Sequence, residues 1–284
     1  MERSTKKYWP VFVFPTMAAF IIGFIIPFVY GIFLSFCKFT TVVDWKWVGL
    51  KNYAKIFVVN GKLDKNFLHS LWYTSLFTVV TVIVINVISF AIALLLTRGL
   101  RGTNFFRTAF FVPNLIGGIV LSYIWLMIFN SVLQNYSQTI VSTQWHAFWG
   151  MVVVVAWQQI GYMMVIYIAG IQNISTDVIE AAKIDGASPW QMLTRVKIPM
   201  LMPTITICTF LTLTNGFKLF DQNFALTGGN PGKQSQLLAL NIYDTMYGST
   251  GWQGVGQAKA VIFFFLVAVI SLIQNRITTS KEAV

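Results

Sequence analysis

Apolar residues in this chain come in long, nearly unbroken runs separated by short polar stretches, a pattern that asks for helices surrounded by lipid rather than by water. Six runs reach the ~20 residues that a bilayer-crossing helix needs: roughly 10 to 36, 70 to 97, 107 to 129, 147 to 172, 199 to 220 and 258 to 275. They predict an all-α polytopic membrane protein with six transmembrane helices, both termini on one side. The polar interval at 173–199 carries helix signals of its own. Asp177, with Glu180 three residues on, is placed to cap a first short helix, and Gly186 to end it in the left-handed conformation. Ser188-Pro189-Trp190-Gln191 reads as a capping box with proline at the first helical position, and Pro199 is predicted to stop the second helix. Helix, glycine turn and helix make a compact knob. Its apolar residues Ile179, Ala182, Ile184, Trp190, Met192 and Leu193 are available to be shared between the chain's own helices and a partner's groove.

Composition agrees: 56% of the 284 residues are hydrophobic and 10% are charged. No polar stretch is long enough to fold alone, so residues 1–284 read as one membrane domain. Arg3, Lys6 and Lys7 precede the first run as in a secretory signal, but the run is too long and lacks a small-residue cleavage site, which predicts an uncleaved first helix. All six arginines (Arg3, Arg98, Arg101, Arg107, Arg195, Arg276) fall on the side of the termini, which predicts that side to be cytoplasmic. Lys38, Lys46, Lys51, Lys55, Lys62 and Lys65 in the first outer loop weigh against this, though less than they would in a short loop. The net charge of +11 is scattered through loops without an aromatic-interleaved face, which fits anionic lipid headgroups and topology control and argues against nucleic acid. Cys37, Cys208, His69 and His146 have no metal-ligand spacing, and no disulfide follows.

Residues 48–57 place apolar positions at helical spacing, either as an interfacial amphipathic helix or as a lid packed on the bundle. Thr227-Gly228-Gly229-Asn230-Pro231-Gly232 is dense turn chemistry outside the fifth run. Gly228 to Gln234 superficially resembles a phosphate loop, but Thr227 stands where a glycine is required and Gln234 where Ser or Thr is. No nucleophile, base and orienting acid come together, so the chain is not an enzyme and any energy for work comes from another subunit. Pro113, Asn114, Gly117 and Gly118 interrupt the third run, and Asn215-Gly216 the fifth. Such breaks either line a water-filled path or serve close helix packing. Lys218 and Asp221, three apart, read either as a mutually neutralising interfacial pair or as part of a substrate or gate site. A path for a neutral polyol needs aromatic faces together with amide or hydroxyl groups. Tyr123, Trp157, Gln158, Tyr162, Asn215 and Phe217 supply them, and Trp and Tyr are also ordinary residues of the membrane interface.

The order Glu180-Ala181-Ala182-Lys183-Ile184-Asp185-Gly186-Ala187-Ser188, running on to Ile198-Pro199, resembles the EAA loop of ABC importer permeases. Val48-Gly49-Leu50-Lys51-Asn52-Tyr53, Phe106-Arg107 to Phe111-Val112-Pro113, Trp157 to Gly161-Tyr162, and Phe220-Asp221 with Leu226 to Pro231 extend the likeness over nearly the whole chain. Together they resemble a permease of the carbohydrate class, the maltose and multiple-sugar type, with Asn230 where a third glycine is common. The resemblance implies the type I ABC importer permease fold, in the bacterial cytoplasmic membrane. It implies that Glu180, Ala181, Ala182, Asp185, Gly186, Ala187 and Pro199 couple to an ATPase. The helix breaks and the polar and aromatic residues within the runs, rather than the resemblance, point to a substrate path near Asn114, Tyr123, Trp157, Gln158, Tyr162, Asn215, Phe217, Lys218 and Asp221. The implied partners are a second, non-identical permease, two ABC ATPase subunits that carry ATP and Mg, an extracellular solute-binding protein and membrane lipid. No cofactor is expected in this chain. The implied cargo is an oligosaccharide. Alternatives are a non-sugar solute such as a glycerophosphodiester, for which no cluster of arginines is visible, or a non-transporting scaffold or sensor subunit.

Overall fold

The computed structural model of the chain describes residues 11, 13–59 and 62–280. Arg3, Lys6, Lys7 and the first residue of the first predicted run lie outside them. Four helices are long and apolar enough to cross a bilayer unbroken: α1 (Val13–Leu34), α3 (Asn66–Leu96), α6 (Gln144–Gln172) and α11 (Gln253–Thr279). Two bent pairs, each counted as one span, would bring the number among the described residues to the expected six: α4 (Thr103–Phe111, running on as a 3-10 turn to Leu115) with α5 (Gly118–Gln134), bent by 100°, and α8 (Pro189–Met200) with α9 (Met202–Phe217), bent by 69°. Shorter helices are α2 (Lys51–Phe57), α7 (Thr176–Ile184) and α10 (Leu238–Tyr247). The all-α expectation gains two small antiparallel hairpins, β1 (Cys37–Thr41) with β2 (Asp44–Trp47), and β3 (Val58–Val59) with β4 (Lys62–Leu63). The described residues cluster into two compact units, one comprising those up to Lys65 with Ile242–Phe264, the other Asn66–Asn241 with the residues from Phe265 on.

In the first unit a buried amide joins the outer loop to the end of α1. The backbone carbonyls of Ser35 and Cys37 lie where the helix gives way to strand, and Asn52 Nδ2 donates to both, at 2.8 and 2.9 Å. The Tyr53 hydroxyl lies 2.7 Å from Ser35 Oγ. At the start of α11, Gly254 faces the Cys37 carbonyl and the Asn52 amide so closely that any Cβ there would overlap them. The helix expected near 48–57 forms over Lys51–Phe57 and buries Asn52 and Ile56, four apart, against its own chain. One ionisable residue escaped the sequence reading. Lys259 in α11 is 4% exposed, and its ammonium donates to Thr245 Oγ1 at 2.8 Å. A buried charge in a membrane helix persists only when such polar groups face it.

The second unit is built around α6. Of its most apolar stretch 67% is buried, and Met151, Val154, Val155, Met163, Met164 and Ile168 pack against Tyr73, Phe77 and Ile85 of α3 and Cys208 of α9. Association in lipid has little hydrophobic drive, so contact relies on close packing and interhelical hydrogen bonds. Both are present. Asn86 of α3 donates to Thr212 Oγ1 of α9 at 2.9 Å and accepts from the Tyr167 hydroxyl of α6 at 2.8 Å. Ser89 Oγ donates to the Ile160 carbonyl at 2.9 Å. Gly161 admits the Phe110 carbonyl of α4, and Gly170 admits Thr204 of α9. Gly216 belongs to the same class and corrects an expectation. Asn215-Gly216 does not break the fifth span, because α9 runs through to Phe217 and a Cβ on Gly216 would lie 2.9 Å from Thr78 Cγ2. Close packing, rather than a freed backbone, explains that glycine.

A methyl group at Gly161 would meet rigid backbone, whereas one at Gly150 would meet mainly the flexible tip of Ile140. Gly161→Ala is expected to cost about 1 to 3 kcal/mol, as overpacking does. It should lower the thermal midpoint of the purified permease, followed by fluorescence-detected gel filtration, by clearly more than Gly150→Ala.

Candidate functional site

The knob at 173–199 is held by hydrogen bonds within itself. Ser175, rather than Asp177, is the N-cap of α7: its hydroxyl accepts from Asp177 N at 3.3 Å. Asp177 lies inside the first turn, where its charge favours the positive end of the helix. The C-terminal end forms as expected. Gly186 adopts φ +79°, the Ala187 N–H reaches back to the Ala182 carbonyl at 3.0 Å, and the Gly186 N–H reaches Lys183 at 3.1 Å. This is the paired-bond glycine cap, which satisfies two terminal carbonyls at once. Immediately after it, Ser188 accepts from Gln191 N at 3.3 Å while its own N–H donates to Gln191 Oε1 at 2.8 Å, completing the capping box with Pro189 at N1. Pro199 does not end the second helix. A π-helical stretch, Met192–Lys197, precedes it, so the proline sits in the first turn of a restarted α segment where its missing N–H is not needed. The turn comes at Leu201, which is 1% exposed and bends α8 into α9.

These local bonds sort the knob's apolar residues. Ile179 packs on the core of the bundle and Met192 is buried, whereas Ile184 and Trp190 point outward at 86% and 71% exposure. Glu180, Ala181 and Asp185 are exposed, with Ala182 and Ala187 half-buried. The internally capped turn thus exposes two large apolar side chains, Ile184 and Trp190, close in sequence to the exposed Glu180, Ala181 and Asp185.

A second locus is the break between α4 and α5. The 3-10 turn Val112–Leu115 and the extended Ile116 leave the Ile116 carbonyl without a helical donor, and Gln158 Nε2 of α6 supplies one at 2.9 Å. Gln158 Oε1 accepts in turn from Gln222 Nε2 at 2.6 Å. Gly118 makes room for the group, since a Cβ there would lie 2.9 Å from Asp221 Cβ and 3.0 Å from Gln222 Nε2. Asn223, fully buried, then ties down the following loop, donating to the Ser235 carbonyl at 2.8 Å and accepting from Leu237 N at 2.8 Å.

Several candidate path residues meet here. Asn114 sits half-buried in the 3-10 turn, Gln158 holds the break, and Asp221 lies against Gly118. Trp157 stacks edge-on with Trp125 of α5 at 5.6 Å and keeps 43% of its surface exposed. Tyr123 and Tyr162 are exposed at 50% and 38%, Asn215 is half-buried, and Phe217 is buried. Lys218 and Asp221 are not on one helical face. Lys218 caps the end of α9, non-helical Leu219 and Phe220 intervene, and among the described residues no ion pair joins the two. Gln222, Asn223 and Asn86 were missed, although each is an amide within or beside an apolar run, the signal that singled out Gln158.

Replacing Gln158 by Leu strands the Ile116 carbonyl and the Gln222 amide. The coupling in a Gln158→Leu/Gln222→Leu double-mutant cycle, read from thermal stability of the purified permease, is expected at about 0.6 to 1.7 kcal/mol, the range of interhelical bonds in membranes.

Comparison with known proteins agrees with this geometry. Residues 98–281 match the family described as binding-protein-dependent transport system inner membrane component. A probable starch degradation products transport system permease protein of Thermoanaerobacterium thermosulfurigenes is 45% identical, over 97% of this chain and 94% of its own length. A multiple sugar-binding transport system permease protein of Streptococcus mutans is 29% identical over 99% of each. In fold, the chain superposes with a TM-score of 0.81 on a chain of a bacterial ABC transporter that imports the acidic polysaccharide alginate, at 17% identity and 98% coverage of both. With four to six apolar spans among its described residues, an internally capped knob between α6 and α9, and this match over most of its length, the chain belongs to the family of binding-protein-dependent transport system inner membrane components, the permease subunits of ABC importers.

Proposed function

We propose that the chain, working as one membrane domain with both termini cytoplasmic, forms half of the path by which an oligosaccharide derived from starch enters the cell. The observation that carries the proposal is the knob: its caps are complete within its own sequence, and its two most exposed apolar side chains, Ile184 and Trp190, face away from the bundle. In this reading the knob fits a groove on an ABC ATPase subunit, with Glu180, Ala181, Ala182, Asp185, Gly186, Ala187 and Pro199 setting its shape. A second, non-identical permease completes the path, two ATPase subunits hold ATP and Mg, and an extracellular solute-binding protein delivers the cargo. The identity with the starch-products permease supports the cargo class. Closure of the ATPase pair would push the knob as a lever, and the bend at Leu201 with the Gly170 to Thr204 contact would pass that motion to α6 and α9. The face near Asn114, Tyr123, Trp157, Gln158, Tyr162, Asn215, Phe217, Lys218 and Asp221 would line the path.

The test is reconstitution of the complex in liposomes with its binding protein, measuring ATP hydrolysis stimulated by malto-oligosaccharides. Stimulation by a starch-derived saccharide is expected, and stimulation only by an unrelated solute would reject the cargo. Gly186→Val meets open space and is strained only by its positive φ, at a cost of about 1 to 2 kcal/mol. It should spare insertion and pairing while reducing ATPase co-purification or uncoupling hydrolysis from uptake. Glu180→Lys should act likewise. Trp190→Ala, which removes a large apolar anchor, should weaken ATPase attachment by about 2 kcal/mol or more. Normal attachment and uptake in all three variants would rule out the knob as the coupling element.

A further inference from the structure

We propose that a cavity between the end of α3 and the knob binds the phosphate of an anionic phospholipid. The cavity measures about 340 Å³ and is lined by the cations Arg98, Lys183 and Lys197 and by the apolar Leu94, Met192 and Leu193, with no acidic residue in its wall. Among the described residues none of the three cationic side chains has an ion pair or a hydrogen bond. Three unpaired like charges around one hollow repel each other, and an anion between them removes that cost. The wall lacks the aromatic faces and side-chain amides that would hold a sugar.

Position in the chain selects the source of the anion. Leu94 and Arg98 lie at the end of a 31-residue span, and Lys197 lies four residues before the bend that opens the fifth. The cavity is therefore at the level of the lipid headgroups, on the arginine-rich side. A ligand with a phosphate for the cations and a glycerol and acyl root for Leu94, Met192 and Leu193 matches both halves of the lining. Such a lipid would tie the base of the knob to α3, so that coupling would respond to the charge of the membrane. The inference rests on the reading that the knob faces the cytoplasm.

The experiment uses the assembled complex, delipidated in detergent and titrated with phosphatidylglycerol or phosphatidylcholine while bound lipids are counted by native mass spectrometry. Phosphatidylglycerol should bind at least tenfold more tightly than phosphatidylcholine. Each basic residue near an anionic surface contributes about a fivefold factor, so Arg98→Gln/Lys197→Gln should weaken phosphatidylglycerol about 25-fold and leave phosphatidylcholine unchanged. Arg101→Gln, outside the cavity, should change neither. Equal binding of the two lipids, or undiminished binding by a double variant that elutes as the intact complex, would overturn the proposal. Displacement by millimolar inorganic phosphate would mark a free-anion site and overturn the lipid assignment. Binding only after the ATPase subunits are stripped away would assign the cavity to the ATPase contact and do the same. Side-specific labelling of Arg101→Cys, exposed and outside the cavity, tests the cytoplasmic placement separately, so a failure there is distinguishable from a failure to bind lipid.

Discussion

Every backbone group that leaves a helix inside the membrane must find a partner within the protein, because lipid offers none. The rest of this structure follows from how that requirement is met. The third span breaks by 100°, and the Ile116 carbonyl freed there is taken by Gln158, which is itself held by Gln222. The fifth span bends at Leu201, whose N–H still reaches Lys197 and Ile198 at 3.0 and 3.1 Å, so the turn leaves that donor satisfied. At the end of the first span Asn52 covers two carbonyls at once. Three buried side-chain amides, Asn52, Gln158 and Asn223, thus serve points where helical bonding stops.

Small residues solve the complementary problem of bringing helices close enough for those amides to reach. Gly161, Gly170 and Gly216 each accept a neighbour where a methyl group would collide, and two of them line α6, the most enclosed of the four unbroken spans among the described residues. Close approach and polar bonding are coupled. Gln158 lies three residues from Gly161 on the same helix, so the glycine that admits α4 also sets the distance at which the amide meets the break that follows it.

The knob obeys different physics. It lies in the polar interval between two spans, and its stability comes from short-range bonds: Ser175 at one end, the glycine cap in the middle and the capping box at the start of α8. These bonds are complete within about two dozen residues, so the shape of the knob rests on its own sequence rather than on contacts with distant spans. Its anchorage is apolar and directed inward through Ile179 and Met192, leaving Ile184 and Trp190 exposed.

The sequence by itself determined what depends on near neighbours. The six apolar runs, the left-handed Gly186, the Ser188 box and the break at Pro113 to Gly118 all rest on length, hydropathy and local hydrogen bonding, so they were legible before any packing was known. Tertiary structure decided the rest. Asn215-Gly216 looked like a break because its residue types weaken helices, yet packing against Thr78 keeps α9 whole. Lys218 and Asp221 looked like a pair because they are three apart, yet the end of α9 between them removes the helical geometry that spacing assumes. Gln158 stood out as a polar residue in an apolar run, but its partners lie 42 and 64 residues away. A distance of that kind is written in no local pattern. It is fixed only when glycines bring separate helices into contact and the lipid leaves a freed carbonyl nowhere else to turn.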